Sequence, residues 1–197
     1  MITLHNKDLV KSLDLPDPKF YNSRAEAIKV YGNPGTKATA DQAWAAKNLI
    51  SINLPYPMKL AWDIKTVIHE ITVHRFAADL GLILQDVYLN TRILVKAETK
   101  KSMPSAAWDA MTTKKLSILG LDLFGGCYNH RATRGSASLS AHAFGCAIDI
   151  DPERNPLGSS NYHIPDYVIK IFEAYGWTSG AKYKKRPDPM HFSRLGF

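Results

Sequence analysis

Apolar residues in the middle of the chain recur with the period of an α-helix. Over residues 63–89 they follow one another at steps of three and four, with one step of five. This spacing predicts one long amphipathic helix over 63–89. The segment TRILVKAETKK, at 91–101, predicts a strand after it. The positions that carry the helical period are Ile64, Val67, Ile68, Ile71, Phe76, Leu80 and Leu84.

Shorter patterns elsewhere predict a mixture of helices and strands. After Gly120 the chain becomes rich in glycine, and CAIDIDP at 146–152 predicts a short strand that Pro152 ends. Because the elements come in mixed order without regular βαβ alternation, the fold is predicted to be α+β, with a small antiparallel sheet packed against helices. The remaining predictions are a helix over 23–32, a helix or helix-to-strand transition over 42–54, helices over 105–120 and 165–176, and a turn-rich segment over 177–192 that returns to a final strand.

Composition predicts a single globular domain. The 197 residues are 45% hydrophobic and 22% charged, and the formal net charge is +7. This length and apolar content suit one domain over 1–197, with 1–60 as an N-terminal extension of uncertain role and 120–197 as the core of the site. The positive charge favours polyanionic partners, namely nucleic acid, anionic lipid or bacterial wall polymers, and does not choose among them.

The chain carries no visible export or membrane signal. Its N-terminal segment lacks an apolar stretch, so we expect a protein made in the cytoplasm without a signal peptide. The longest apolar run is interrupted by Asp79 and Asp86, which predicts no membrane span. Cys127 and Cys146 are too few for a disulfide scaffold and are predicted to be buried thiols, although a disulfide between two neighbouring strands is an alternative.

The segment HEITVH resembles a zinc-binding motif only superficially. A helical HExxH motif needs its histidines four residues apart on one face. His69 and His74 are five residues apart, which on a helix separates them by about 140° around the axis. We therefore expect no metal chelate at this pair.

A second candidate lies in LSAHAFGCAIDID, at 139–151. His142 and Asp149 would face one point if Gly145 bends the chain into the following strand. Strand alternation places Asp149 on the same face as the small side chain of Ala147, which leaves room for an ion. The alternative is a buried aspartate that is hydrogen-bonded to the backbone.

The C-terminal segment RPDPMHF adds the residues that a catalytic metal site needs. His191 would be a third ligand beside His142 and Asp149, and three protein ligands with one open position are typical of catalytic zinc. Zinc at such a site lowers the pKa of a bound water to about 7 and polarises the attacked carbonyl. Asp188, three residues before His191, would lie near enough to act as general base.

SAHAFGCAID followed by DPMHF resembles the signature of a superfamily of zinc peptidases. This superfamily includes D-alanyl-D-alanine carboxypeptidases, vancomycin-resistance D,D-dipeptidases and the L-alanyl-D-glutamate endopeptidases found as phage endolysins. The resemblance covers about residues 120–197. It implies one Zn²⁺ ion held by His142, Asp149 and His191, with Asp188 as the catalytic base.

The resemblance also implies further roles around the ion. An upstream arginine of the superfamily stabilises the carbonyl oxygen as it becomes an oxyanion. Arg131 is the better candidate for this role, and Arg134 is the alternative. Arg134 is also expected to bind substrate. Ser140 matches a serine before the first ligand, with a role in substrate binding or in supporting that ligand. A loop-capping role is its alternative.

The expected activity is therefore hydrolysis of peptidoglycan stem peptides by a phage-type endolysin, acting on the cell wall after release, most simply as a monomer. An L-alanyl-D-glutamate endopeptidase is the first choice, because lysis requires a cut that breaks wall crosslinks. The alternatives are a D-alanyl-D-alanine carboxypeptidase or dipeptidase and, more remotely, a non-catalytic zinc-containing binding module. No motif supports nucleic-acid binding. The run KYKKR at 182–186 is either a solvated hairpin tip or a guide for an anionic polymer.

Overall fold

The structure, a computed structural model, describes residues 2–13, 15–16, 21, 23–99 and 102–197. Within these residues six helices and one six-stranded sheet confirm the α+β prediction. The helices are α1 (Lys7–Val10), α2 (Arg24–Tyr31), α3 (Gln42–Asn48), α4 (Leu80–Thr99), α5 (Ser105–Leu119) and α6 (Asp166–Ala174). The strands are β1 (Leu49–Leu60), β2 (Asp63–His74), β3 (Leu123–Gly126), β4 (Ala147–Ile150), β5 (Thr178–Ser179) and β6 (His191–Ser193).

The predicted long helix over 63–89 is wrong in its first half. Residues Asp63–His74 form β2, which pairs with β1 in an antiparallel hairpin. Ile71 and Val73 are buried while Thr72 between them is exposed, so the period is two residues. The β-branched side chains of this segment prefer a pleated strand, and that preference overrode the three- and four-residue spacing.

The predicted strand over 91–101 is also wrong. Helix α4 continues to Thr99, and its buried face advances by four residues from Val87 to Thr91 and Val95. Thr91 Oγ1 donates to the carbonyl of Val87, which satisfies a β-branched polar residue inside a helix. Residues 100 and 101, the end of the predicted strand, lie outside the described residues.

The shorter elements follow the sequence more closely. Helix α2 begins after Ser23, whose side chain accepts a hydrogen bond from the Glu26 amide, and it ends at Gly32. The transition over 42–54 is confirmed as α3 leading directly into β1. Helices α5 and α6, the short strand β4 and the final strand β6 are confirmed as well.

The sheet has the strand order β2-β1-β3-β4-β6-β5. The pair β1–β3 is parallel, and the other neighbouring pairs are antiparallel. The antiparallel pairing of β4 with β6 sets Asp149 directly opposite His191. Helix α4 packs against β1, α5 and α6, and the apolar core lies between these helices and the sheet. None of the described helices is long and apolar enough to cross a membrane.

Both cysteines are buried free thiols, as predicted for a chain without a disulfide scaffold. Burial raises the pKa of the Cys127 thiol to about 12, so it stays protonated and unreactive at neutral pH.

A buried ion pair holds the C-terminal segment against the core. Arg194 donates to Asp79 Oδ2 across 2.9 Å, and the two side chains are 3% and 0% exposed. Trp177 Nε1 donates to the same oxygen at 3.2 Å. Burial raises the pKa of the Asp79 carboxyl, and the guanidinium of Arg194 opposes that shift.

Replacing Arg194 by methionine should lower the free energy of unfolding by about 3–5 kcal/mol, because the carboxylate of Asp79 would be buried without its cation. Urea denaturation at neutral pH measures the change. Lys115→Met is the control, since it breaks an exposed pair with Glu98 and should cost less than about 1 kcal/mol. Equal losses in the two variants would show that the buried pair is not a major source of stability.

Candidate metal centre

A short turn places the first candidate ligand. Residues Ala141–Phe144 form a 3-10 helix, and Ser140 Oγ accepts from the His142 amide at 3.2 Å at its start. The helix ends at Gly145, where φ is +66° and a Cβ would lie 2.7 Å from the backbone nitrogen of His74. The bend that the sequence required of Gly145 is therefore present, and it directs the chain into β4. For Ser140, the loop-capping role is observed.

The three predicted ligands converge on one point. Asp149 Oδ1 lies 3.2 Å from His142 Nε2 and 2.9 Å from His191 Nδ1. The two imidazole nitrogens are 3.2 Å apart. The register of β4 with β6 brings Asp149 and His191 together, and the turn at Gly145 brings His142 back to them. The carboxylate oxygen of Asp149 thus lies against two imidazoles. The alternative, an aspartate hydrogen-bonded only to the backbone, is not what the structure shows.

The chemistry and spacing of this donor set fit zinc. Tetrahedral zinc with bonds of about 2.0–2.1 Å to nitrogen and oxygen places neighbouring ligand atoms about 3.3 Å apart. His142 Nδ1 donates to the carbonyl of Cys127 at 2.7 Å, which leaves Nε2 with a free lone pair. Burial alone would raise the pKa of Asp149, but the adjacent imidazoles of His142 and His191 hold it well below its usual range. Among the described residues this is the group of side chains that could hold a metal ion.

The side-chain carboxylate of Asp188 lies in the same cleft. Its Oδ1 is buried and contacts no donor among the described residues. Burial raises the pKa of this carboxyl, while the neighbouring imidazoles and the guanidinium of Arg134 lower it in part. Its amide donates to the carbonyl of Gly180 at 2.8 Å, and a Cβ at Gly180 would collide with the Asp188 carbonyl. Gly180 therefore permits the approach of the Asp188 loop, a role that the sequence analysis missed.

All seven predicted site residues line one cleft. They are Arg131, Arg134, Ser140, His142, Asp149, Asp188 and His191. Arg131 is half-buried, and its carbonyl accepts from the Ser140 amide at 3.0 Å. Arg134 is exposed at the rim. The structure thus brings both candidate arginines to the cleft and does not divide their roles. The other side chains lining it, which the sequence analysis did not assign, are Thr133, Leu157, Tyr183, Arg186, Met190 and Phe197.

Tyr183 and Arg186 change the interpretation of the run at 182–186. Lys184 and Lys185 are exposed, as expected of a solvated tip, but Arg186 reaches the cleft. The hydroxyl of Tyr183 is buried without a partner among the described residues, and burial raises its pKa to about 12. The sequence pattern that could have indicated Tyr183 and Arg186 is their position between Gly180 and Asp188.

The histidines of HEITVH lie apart from the cleft. They fall on β2, where a five-residue step places them on opposite faces; His69 is exposed and His74 is buried. His74 Nε2 donates to the Tyr31 carbonyl at 3.1 Å, and its Nδ1 accepts from the Phe76 amide. Burial lowers the pKa of His74 to about 4, as for a neutral core histidine. The strand, and not the predicted helical rotation, keeps the two imidazoles apart.

Part of the chain matches a known protein family. Residues 134–194 match the sequence model of a family described as D-alanyl-D-alanine carboxypeptidase. The matched segment contains the three clustered residues and Asp188, whereas Arg131 lies just before it. No curated protein and no solved structure matched the chain. Over this segment the chain is similar to that family, and the match supports, in general terms, a peptidase.

Proposed function

We propose that the chain is a zinc-dependent peptidase that cleaves peptidoglycan stem peptides, as an L-alanyl-D-glutamate endopeptidase of the phage endolysin type. The observation that carries this proposal is the His142–Asp149–His191 cluster beside Asp188, whose Oδ1 has no hydrogen-bond partner among the described residues. A set of metal ligands and a free base are what metal-assisted hydrolysis of an amide requires. The arginines that line the cleft suit a substrate with free carboxylates.

In this proposal His142, Asp149 and His191 hold a single zinc ion. When bound, zinc supplies a Lewis acid that polarises the scissile carbonyl and makes a water molecule more acidic. Asp188 accepts the proton of the attacking water at its free carboxylate oxygen and later returns it to the leaving amine. Its half-buried position and raised pKa suit a group that must take up and release a proton during turnover.

Arg131 is proposed to stabilise the oxyanion, with Arg134 and Ser140 contacting substrate. An oxyanion donor acts best when it is held in place before the reaction. Arg131 fits this need because it is half-buried and its backbone is tied to the turn that carries His142. Arg134, exposed at the rim, suits attraction of the substrate.

Changing Arg131 to glutamine should reduce kcat by about 10²–10³-fold, the usual cost of losing one oxyanion donor. Arg134→Gln should mainly raise KM, because a rim cation contributes to binding in the ground state. Steady-state kinetics on a soluble stem peptide separate the two effects. If Arg134→Gln loses turnover while Arg131→Gln keeps it, the two assignments must be exchanged.

A D-alanyl-D-alanine carboxypeptidase is the second candidate, because the matching family carries that description. Purified peptidoglycan digested with the zinc-loaded protein distinguishes the two by mass spectrometry of the new termini. New amino-terminal D-glutamyl residues support the endopeptidase, and released D-alanine supports the carboxypeptidase. No cleavage by a folded protein that holds one zinc would contradict both and favour a binding module.

We also propose that residues 1–197 act as one peptidase domain, made in the cytoplasm and acting on the cell wall as a monomer. Contacts between the N-terminal part and the site support the single domain. Arg24 Nε donates to the Leu139 carbonyl at 2.7 Å, and its Nη2 donates to Thr133 Oγ1 at 2.9 Å. Strand β1 pairs with β3 in the same sheet as the ligands. Sedimentation velocity on the zinc-loaded protein tests the monomer.

A further inference from the structure

We propose that a groove next to the cleft binds the glycan strand of peptidoglycan, an uncharged chain of N-acetylated sugars, while the attached peptide occupies the cleft. The inference rests on the proposed function for the identity of the polymer. The groove lies between the β1–β2 hairpin and the segment 124–129. Its lining residues all precede the segment that matches the peptidase family, and the catalytic roles proposed above use none of them.

The groove presents an exposed aromatic surface. Trp62, in the turn between β1 and β2, is 66% exposed, which is unusual for the largest apolar side chain. Its ring centroid lies 6.3 Å from that of Phe124, with the two planes inclined by 52°. A flat indole face in water offers a stacking surface for the C–H face of a sugar ring, and Tyr128 adds a second aromatic residue to the wall.

The polar groups of the groove are suited to an uncharged ligand. Ser51 Oγ donates to Glu70 Oε2 at 2.9 Å, and both residues are exposed. Asn129 adds an exposed amide that can donate and accept. Glu70 is the one charged side chain among the described residues that line this groove. A few hydroxyl, amide and carboxylate groups beside aromatic rings can bind sugar hydroxyls and acetamides.

The neighbouring cleft has the opposite character. Arg131, Arg134 and Arg186 all line it, so it favours an anionic ligand. Peptidoglycan has both kinds of component, because its stem peptides carry carboxylates and its sugar backbone is largely uncharged. The difference in charge between the two recesses therefore assigns the peptide to the cleft and the glycan to the groove.

One segment of chain, residues 125–131, runs from the groove to the cleft. Gly125 and Gly126 line the groove, and a Cβ at Gly126 would meet nothing within 4 Å, so the space beside Gly126 is open. The carbonyl of Cys127, on the groove wall, accepts from His142 Nδ1 on the cleft side. Asn129 lines the groove and Arg131 lines the cleft, so their Cα atoms are two residue steps, at most about 7 Å, apart.

The test is binding of chitotetraose, four β-1,4-linked N-acetylglucosamine units, to the full zinc-loaded chain, followed by NMR titration. Trp62→Ala should weaken binding by about tenfold, the usual effect of removing an aromatic anchor. Ile64→Ala is the matched control, because Ile64 is 65% exposed on the same hairpin and lies outside the groove. Both variants should cleave a sugar-free stem peptide as the unmodified chain does.

Binding that Trp62→Ala weakens and Ile64→Ala leaves intact supports the proposal, even if the chain cleaves no peptide and the proposed function fails. No saturable binding of chitotetraose by the unmodified chain would overturn it, as would equal binding by Trp62→Ala. Self-association that depends on Trp62, seen by sedimentation, would overturn it in favour of a second copy of the chain on this face.

Discussion

Asp188→Asn should lose peptidoglycan hydrolysis by about 10²–10⁴-fold while it keeps its zinc and its fold. The amide has nearly the shape of the carboxylate but accepts no proton at neutral pH. Since Oδ1 of Asp188 has no partner among the described residues, the substitution breaks no side-chain hydrogen bond at that atom. Release of new amino termini from purified peptidoglycan measures the rate, and elemental analysis measures the zinc.

The control for this prediction is Asp166→Asn. Asp166 is exposed in the first turn of α6 and lies outside the cleft, so its loss should leave hydrolysis unchanged. Full activity in Asp188→Asn would refute its assignment as the base. Loss of zinc together with activity would instead mean that Asp188 supports the ligands.

Removal of either imidazole ligand is expected to abolish both metal binding and hydrolysis. His142→Ala and His191→Ala each leave two ligands, and a site with two protein ligands should bind zinc at least about 100-fold more weakly. Binding of zinc to the folded state also stabilises it. A chelator should therefore lower the Tm of the unmodified protein and leave the Tm of either variant almost unchanged.

His163→Ala is the matched control for the ligand variants, because His163 is exposed and lies outside the cluster. It should retain one zinc, the stabilisation by zinc and full hydrolysis. A His142→Ala protein that binds zinc as tightly as the unmodified chain would show that the ion sits elsewhere. Zinc titration monitored by calorimetry gives the affinities directly.

The candidate centre could be predicted from the sequence because its parts are local. His142, Gly145 and Asp149 fall within eight residues, so one turn and one short strand determine their relative positions. His191 required only that the C-terminal strand pair beside β4, which a small sheet makes favourable. The spacing of these residues along the chain was therefore enough to predict that the three ligands lie together.

Other parts of the fold depend on distant contacts and were missed. Spacing alone did not separate β2 from α4, because apolar steps of three and four also arise when a strand runs into a helix. Arg186 and Tyr183 line the cleft from the loop between Gly180 and Asp188, whose close approach Gly180 permits. The parallel pairing of β1 with β3 joins segments more than 60 residues apart, and no local pattern encodes it.

The pairing of β4 with β6 has a consequence for the lifetime of the protein. The two strands match at only three residue pairs, one of which is Asp149 with His191. An ion held by both residues would stabilise the pairing of β4 with β6, and without the ion β6 would separate from β4 more often. We expect metal-starved molecules to be clipped by proteases near this strand first, so that the supply of the ion determines how many copies survive as well as how many are active.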